Sequence, residues 1–491
     1  MFEEMKRFGR NSFVYACGNV LNRGAAFILL PLYTHVMNPA DFGILSLFYL
    51  VSTIAHTLLS MGLAHATLRF YFEYTEEKMR RTVVSTALFA TMLIGVGGTA
   101  LAVPFIGLIA SALFQDEAYA PLFYILFGTL VLELVIEVSK ALIRAQERPM
   151  VYVLSSVFKL LAQVGFNVYT VVILKKGIQG ILLGNLASVF LLACLLIPFT
   201  LKYSGFRFNL SILKSFLRYS FPMIPATVID IVIRSLDRIL LLKFSTLAVI
   251  GLYSLGGRFS LLLTELFYQP FTIAFGPHRF SIMKQENARE IYARFLTYFV
   301  TSASFLWLGV SVFAKEAVQL IASDEYLEAY RVVPLVVSTV ILMGCSYIFQ
   351  TGILLTKKTK YVFYVTACCA VFKVILLFSL VPRFNMYGAA IATPVGSLLG
   401  AALTCYFSQK EYPVSFEWAR VFKGFGAALA LFLVSTQIRT EALLAGLALK
   451  GALVLTYPFI LGMAGFFRKG ELVVLNHLIR YRAFKPGLVS Q

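Results

Sequence analysis

FGILSL at residues 42–47 returns as IGLYSL at 250–255, and QGILLGN at 179–185 is answered by YGAAIAT at 387–393. Strings of small and aliphatic residues are common in apolar helices, so either echo alone says little. Both share one offset of 208 residues, which predicts an internal duplication.

The material being duplicated is membrane-spanning. Of 491 residues 59% are hydrophobic and 14% charged, with mean hydropathy +0.81, whereas a soluble domain carries about 25% charged residues. Apolar runs of roughly 20 residues, the length that crosses a bilayer core of about 30 Å, recur from end to end. They lie near 11–34, 42–64, 82–110, 120–142, 150–173, 179–201, 222–243, 249–276, 295–315, 329–353, 361–381, 388–408, 421–438 and 442–465. The expected fold is an all-α integral membrane protein of about fourteen transmembrane helices. Each repeat holds an even number of spans, so both enter from the same side, as in parallel transporter repeats. The predicted organisation is a six-helix bundle over 1–208, a second over 209–416, and helices 13 and 14 with a basic cytoplasmic tail over 417–491.

The basic start MKRFGR leads into a segment of full spanning length with no compact apolar region and small-residue cleavage site, so no removable signal is expected. Cys17, Cys194, Cys345, Cys368, Cys369 and Cys405 all fall in spans, where a reduced thiol behaves as a small hydrophobe; neither a disulfide framework nor a metal site is expected. The net charge of +19 is first a matter of topology. With both termini cytoplasmic, basic loops such as LRFYFEYTEEKMRR, IRAQERP and TKKTK fall inside and acidic ones such as QDEAY and SDEYLEAY outside. Anionic lipid heads, not nucleic acid, are the partners this implies.

Within the spans the charges are informative. Arg23, Lys159, Arg234, Arg258 and Lys373 lie near the centres of their helices, too deep to snorkel. Each costs about 3 kcal/mol to insert, on the order of 15 kcal/mol for five exposed to lipid, so they must face water, protein or cargo. Adding Lys140, Arg238 and Lys450, the in-span bases outnumber the in-span acids Glu133, Glu137, Asp230, Asp237 and Glu265. The surplus suits an anionic head group, whose phosphate oxygens a guanidinium binds in pairs. In VIDIVIRSLDRILLLK, residues 228–243, Asp230, Arg234, Asp237 and Arg238 share one stripe at about 100° per residue. Two readings stand for that stripe: direct contact of Arg234 with cargo, or a self-neutralised network of Asp230 with Arg234 and Arg234 with Asp237. Glu133 and Glu137, one turn apart with Lys140 in reach, fit either an ion or proton site or an intrahelical ladder. His56 adds a group able to titrate near neutral pH. FPMIP at 221–225 is a candidate hinge.

MNPADFGILSLFYLV (37–51), its echo STLAVIGLYSLGGRF (245–259), the LDR ahead of that echo and MYGAAIATPVGSLLG (386–400) together resemble the polysaccharide-flippase (Wzx-type) branch of the multidrug, oligosaccharidyl-lipid and polysaccharide exporter superfamily. The resemblance implies two six-helix bundles opening alternately to each side of a prokaryotic inner membrane. The implied cargo is a lipid-linked oligosaccharide, typically on undecaprenyl diphosphate, moved from the cytoplasmic to the outer leaflet. Related peptidoglycan-precursor flippases have a cationic central cavity, and Arg23 and Arg258 here occupy places similar to arginines that recur there. Arg23, Arg234, Arg258, Lys159 and Lys373 are the resulting diphosphate-binding candidates; Asp230, Asp237, Arg238, Glu133, Glu137, Glu265 and His56 are candidates for ion or proton coupling or for an ion-pair network.

No GxxxxGK[ST] loop or HExxH pair occurs and no loop is long enough to fold as a catalytic domain, so the expectation is a carrier and not an enzyme, without a cofactor, with Na+ and H+ coupling both open. A polymerase and glycosyltransferases are the protein partners such a role suggests. A cation-coupled multidrug exporter of the same fold is the alternative, and a membrane glycan polymerase or ligase a further one.

Overall fold

The computed structural model describes residues 27–221, 223–438 and 443–468. All regular elements among them are helices, as the composition requires: a helix satisfies its backbone hydrogen bonds internally, which the bilayer demands.

The chain forms two compact units. The first takes residues up to Arg258, with Gln319–Ala329 and Val374–Ala389; the expected boundary at 208/209 falls inside it. It contains α1 (Leu30–Val36), α2 (Pro39–Ser60), α3 (Leu63–Glu73), α4 (Glu77–Ala102), α5 (Ile106–Phe114), α6 (Ala120–Ala145), α7 (Pro149–Asn167), α8 (Gly177–Ser204), α9 (Leu210–Ser220), α10 (Met223–Phe244) and the opening turns of α11 (Leu247–Leu263). Pro39 opens α2 behind an Asn38 cap whose side chain accepts from the Asp41 amide at 2.9 Å. α2 ends where Met61 and Gly62 turn left-handed at φ 42° and 64°, and α3 carries the chain on. Val168–Ile173 closes α7 as a π-helical turn.

The echoed motifs meet at a close helix approach. A Cβ on Gly43 of α2 would lie 2.0 Å from the Leu247 carbonyl oxygen, and one on Gly251 of α11 would lie 1.9 Å from that of Pro39. Residues 43 and 251, like 39 and 247, are 208 apart, so the two echoes touch each other reciprocally at a point only glycine permits.

The second unit takes Phe259–Val318, Tyr330–Lys373 and the chain from Ala390 onward. Its elements are α12 (Gln269–Ser281), α13 (Ala288–Val312), most of α14 (Ala314–Ile321), α15 (Val333–Leu355), much of α16 (Lys360–Glu411), α17 (Trp418–Ser435) and α18 (Leu443–Met463). Trp307 donates to the Pro334 carbonyl at 2.8 Å. Tyr457 ties α18 to the others through the carbonyls of Thr301 and Gly424, both at 3.1 Å.

Eleven helices among the described residues are long and apolar enough to cross a membrane, and three of the fourteen expected spans are not counted separately among them. α16 runs 52 residues as one trace, and the sole break is Asn385 at φ 49°, ψ −127°, between the expected spans 361–381 and 388–408. α10 has the length but holds the four charges of the 228–243 stretch. The expected first span, 11–34, lies mostly outside the described residues, and Arg23 with it.

Candidate functional site

In the first unit a cavity of about 350 Å³ is lined by His56, Ala64, His65, Glu133, Ile136, Glu137, Lys140, Arg144, Tyr152, Lys159, Leu160 and Gln163. Local spacing builds it. Glu133, Glu137, Lys140 and Arg144 recur every three or four residues along α6 and so share a face, as do Tyr152, Lys159 and Gln163 on α7. His56 comes from α2, and the left-handed turn at Met61–Gly62 sets His65 at the start of α3.

The charges pair across helices. Lys159 Nζ donates to Glu133 Oε1 at 2.9 Å, and His56 Nε2 lies 3.5 Å from Glu137 Oε1. Of the two readings of Glu133 and Glu137, the intrahelical ladder with Lys140 is not formed; each carboxylate meets a base from another helix, Lys159 of α7 and His56 of α2. All four side chains keep 25–44% of their surface open. Lys140 Nζ stands 5.5 Å from the Tyr152 ring centre, a cation–π distance. Arg144 Nε is buried without a hydrogen-bond partner.

A ladder of amides and phenols leads on from Gln163. Its Nε2 donates to Asn185 Oδ1 at 2.8 Å, Asn167 Nδ2 donates to the Tyr33 hydroxyl at 2.9 Å, and Asn185 Nδ2 reaches the Tyr49 hydroxyl at 3.4 Å. The buried Asn167 fits because residue 184 is glycine; a Cβ there would stand 2.2 Å from its Oδ1. Half-buried Arg258 sits within electrostatic range of Tyr49, Tyr33 and Arg238.

The other sequence candidates are placed differently. Asp230 and Arg234 pair at 2.7 Å and are exposed. Asp237, in contrast, is 7% exposed; it accepts from the Tyr253 hydroxyl and from the Arg238 amide at 3.0 Å. The expected Arg234–Asp237 contact is thus taken over by Tyr253, which the hairpin between α10 and α11 brings opposite Asp237. None of the four lines the cavity. Lys373 is half-buried in the second unit beside Gly396, Glu265 lies in the π-helical turn Thr264–Tyr268 of that unit, and Lys450 donates to Glu316 at 2.5 Å. No cluster of three metal-ligating side chains occurs among the described residues.

Arg144, His65, Gln163, Asn185 and Tyr49 were not among the sequence candidates. Arg144 carried the one readable signal: α6 runs on to Ala145, which puts it one turn past Lys140, where IRAQERP reads as a loop.

A family model described as "Polysaccharide biosynthesis protein" matches residues 34–331. Among solved structures, the fold is similar to that of the lipid II flippase MurJ in an inward closed conformation, with TM-score 0.71 and 15% identity over 93% of this chain and 100% of that one. An inward-facing multidrug resistance MATE family transporter of the MOP superfamily matches with TM-score 0.63 and 14% identity, over 79% of this chain and 94% of that one. A mutant of the Vibrio cholerae MATE transporter VcmN gives 0.54 and 14%, over 82% and 96%. No curated protein matches the sequence.

Proposed function

The chain belongs to the polysaccharide biosynthesis protein family, and on that premise we propose that it is a flippase for a polyprenyl-diphosphate-linked oligosaccharide, carrying it from the cytoplasmic to the outer leaflet by alternating access. The observation that carries this reading is the cavity lined by charged side chains inside a bundle of apolar helices. Carboxylates and bases set in membrane helices mark a polar cargo or its counter-ions, and oligosaccharide hydroxyls match the amide and phenol ladder beside the cavity. The fold it shares with MurJ and MATE transporters suits a carrier without catalytic chemistry. The setting is a prokaryotic inner membrane with both termini cytoplasmic, beside a polymerase and glycosyltransferases. Among the described residues, Lys159 is the sequence-named diphosphate candidate that lines the cavity, and it acts as a ligand only when it leaves Glu133.

The test is reconstitution of the full chain in liposomes loaded with lipid-linked oligosaccharide, reading cargo exposed to an external glycosidase. Protein-dependent exposure is expected; a rate equal to that of empty liposomes defeats the proposal. Glu133 and Glu137 in the cavity favour a second reading, a cation-coupled multidrug exporter, but Lys159 and His56 already face them. Resistance conferred on a drug-sensitive host would reverse that order.

A further inference from the structure

Resting on the flippase reading, we infer that Lys140 and Arg144 form a phosphate-binding subsite within the first unit, in which the diphosphate of the cargo is held while Gln163 begins the track for its sugars. Neither residue was among the diphosphate candidates named from sequence.

Charge bookkeeping inside the cavity comes first. Its lining has two carboxylates, Glu133 and Glu137, and, besides two histidines, three basic side chains, Lys140, Arg144 and Lys159. Both carboxylates are engaged, one by Lys159 and one by His56. Lys140 and Arg144 have no carboxylate within ion-pair distance among the described residues. They are four residues apart on α6, so their side chains rise from adjacent turns and converge on one ligand as two cations.

Hydrogen bonding supplies the second argument. A buried guanidinium N–H with no acceptor is rare and costly, and Arg144 Nε is one. An oxyanion seated in the cavity supplies both the missing charge and acceptors for the guanidinium. The volume of about 350 Å³ lies within the roughly 300–1,000 Å³ typical of small-molecule sites.

The third argument comes from the duplication. Residues 208 positions beyond Lys140 and Arg144 are Ile348 and Gly352. Ile348 is buried and Gly352 packs closely on Ser408. The equivalent helix of the repeat therefore packs without charge at these positions, so packing alone does not demand a lysine and an arginine there.

The experiment measures binding of inorganic pyrophosphate, and separately of a polyprenyl-diphosphate-linked sugar, to the full chain in nanodiscs, for wild type, K140Q, R144Q, the double variant, K140R and the control R294Q, whose side chain pairs with Glu290 and does not line the cavity. Loss of one charge-assisted contact is expected to weaken both ligands about tenfold or more, with the double variant losing binding, K140R staying near wild type and R294Q unchanged. Wild-type affinity in a double variant with an unaltered unfolding midpoint overturns the subsite. Binding of pyrophosphate but not of the lipid-linked sugar overturns its assignment to cargo. A wild type that binds both ligands in this way yet moves no cargo in liposomes upholds the subsite and fails the flippase reading alone.

Discussion

The cavity residues of the first unit and their counterparts 208 positions later differ in kind. His56, Glu133, Glu137, Lys140, Lys159 and Gln163 are answered by Thr264, Ile341, Cys345, Ile348, Ala367 and Val371. The offset is anchored at both ends of this interval by the two echoes. The helical pattern therefore recurs while the charges at these six positions are found in the first copy alone. The pattern itself survives because small residues allow close packing, a requirement that both copies share. Charges are expensive in a bilayer and persist only where they work.

Gly43 and Gly251 are where the copies should behave alike, and substitution there is expected to have the largest effect. Gly43→Ala and Gly251→Ala each set a Cβ about on top of a backbone oxygen, 2.0 and 1.9 Å away, and backbone cannot rotate aside. Each should lower stability by about 1–3 kcal/mol and to a similar extent, read as the unfolding midpoint in detergent. Tolerance of one and not the other would break the reciprocity.

The cavity is where the copies should differ. Glu133→Ala strands Lys159 and should cost about 2 kcal/mol, whereas Ile341→Ala at the counterpart removes only packing. Adding Lys159→Ala to Glu133→Ala should recover part of the loss, a coupling of about 1 kcal/mol in a double-mutant cycle; strict additivity would show that the pair does not hold the site. Next in size, Tyr253→Phe leaves buried Asp237 short of its hydroxyl donor and should destabilise by about 1 kcal/mol. Arg234→Ala, breaking an exposed pair with Asp230, should change stability by no more than about 0.5 kcal/mol; a transport defect without a stability change would then mark Arg234 as a cargo residue.

Membrane class, helical content and repeat offset were legible because each depends on composition or on spacing along one helix, and Asp230 with Arg234 was legible for the same reason. Glu133 and Glu137 were recognised as a charged pair on one face, but their partners Lys159 and His56 come from other helices. Asp237 was misassigned to Arg234 because Tyr253 lies across a hairpin. Arg144 was missed because α6 continues past the point where its apolar pattern stops.

The sequence alone thus determined that this is a helical, multi-pass membrane protein with two echoes at one offset and more bases than acids within its expected spans. Which base meets which acid, which bases are left without one, and that the hollow they line lies within the first unit were decided only in the tertiary structure. Spans are written by local hydropathy, whereas a charge in a membrane helix takes its partner from whichever helix packs beside it, and that neighbour has no fixed place along the chain.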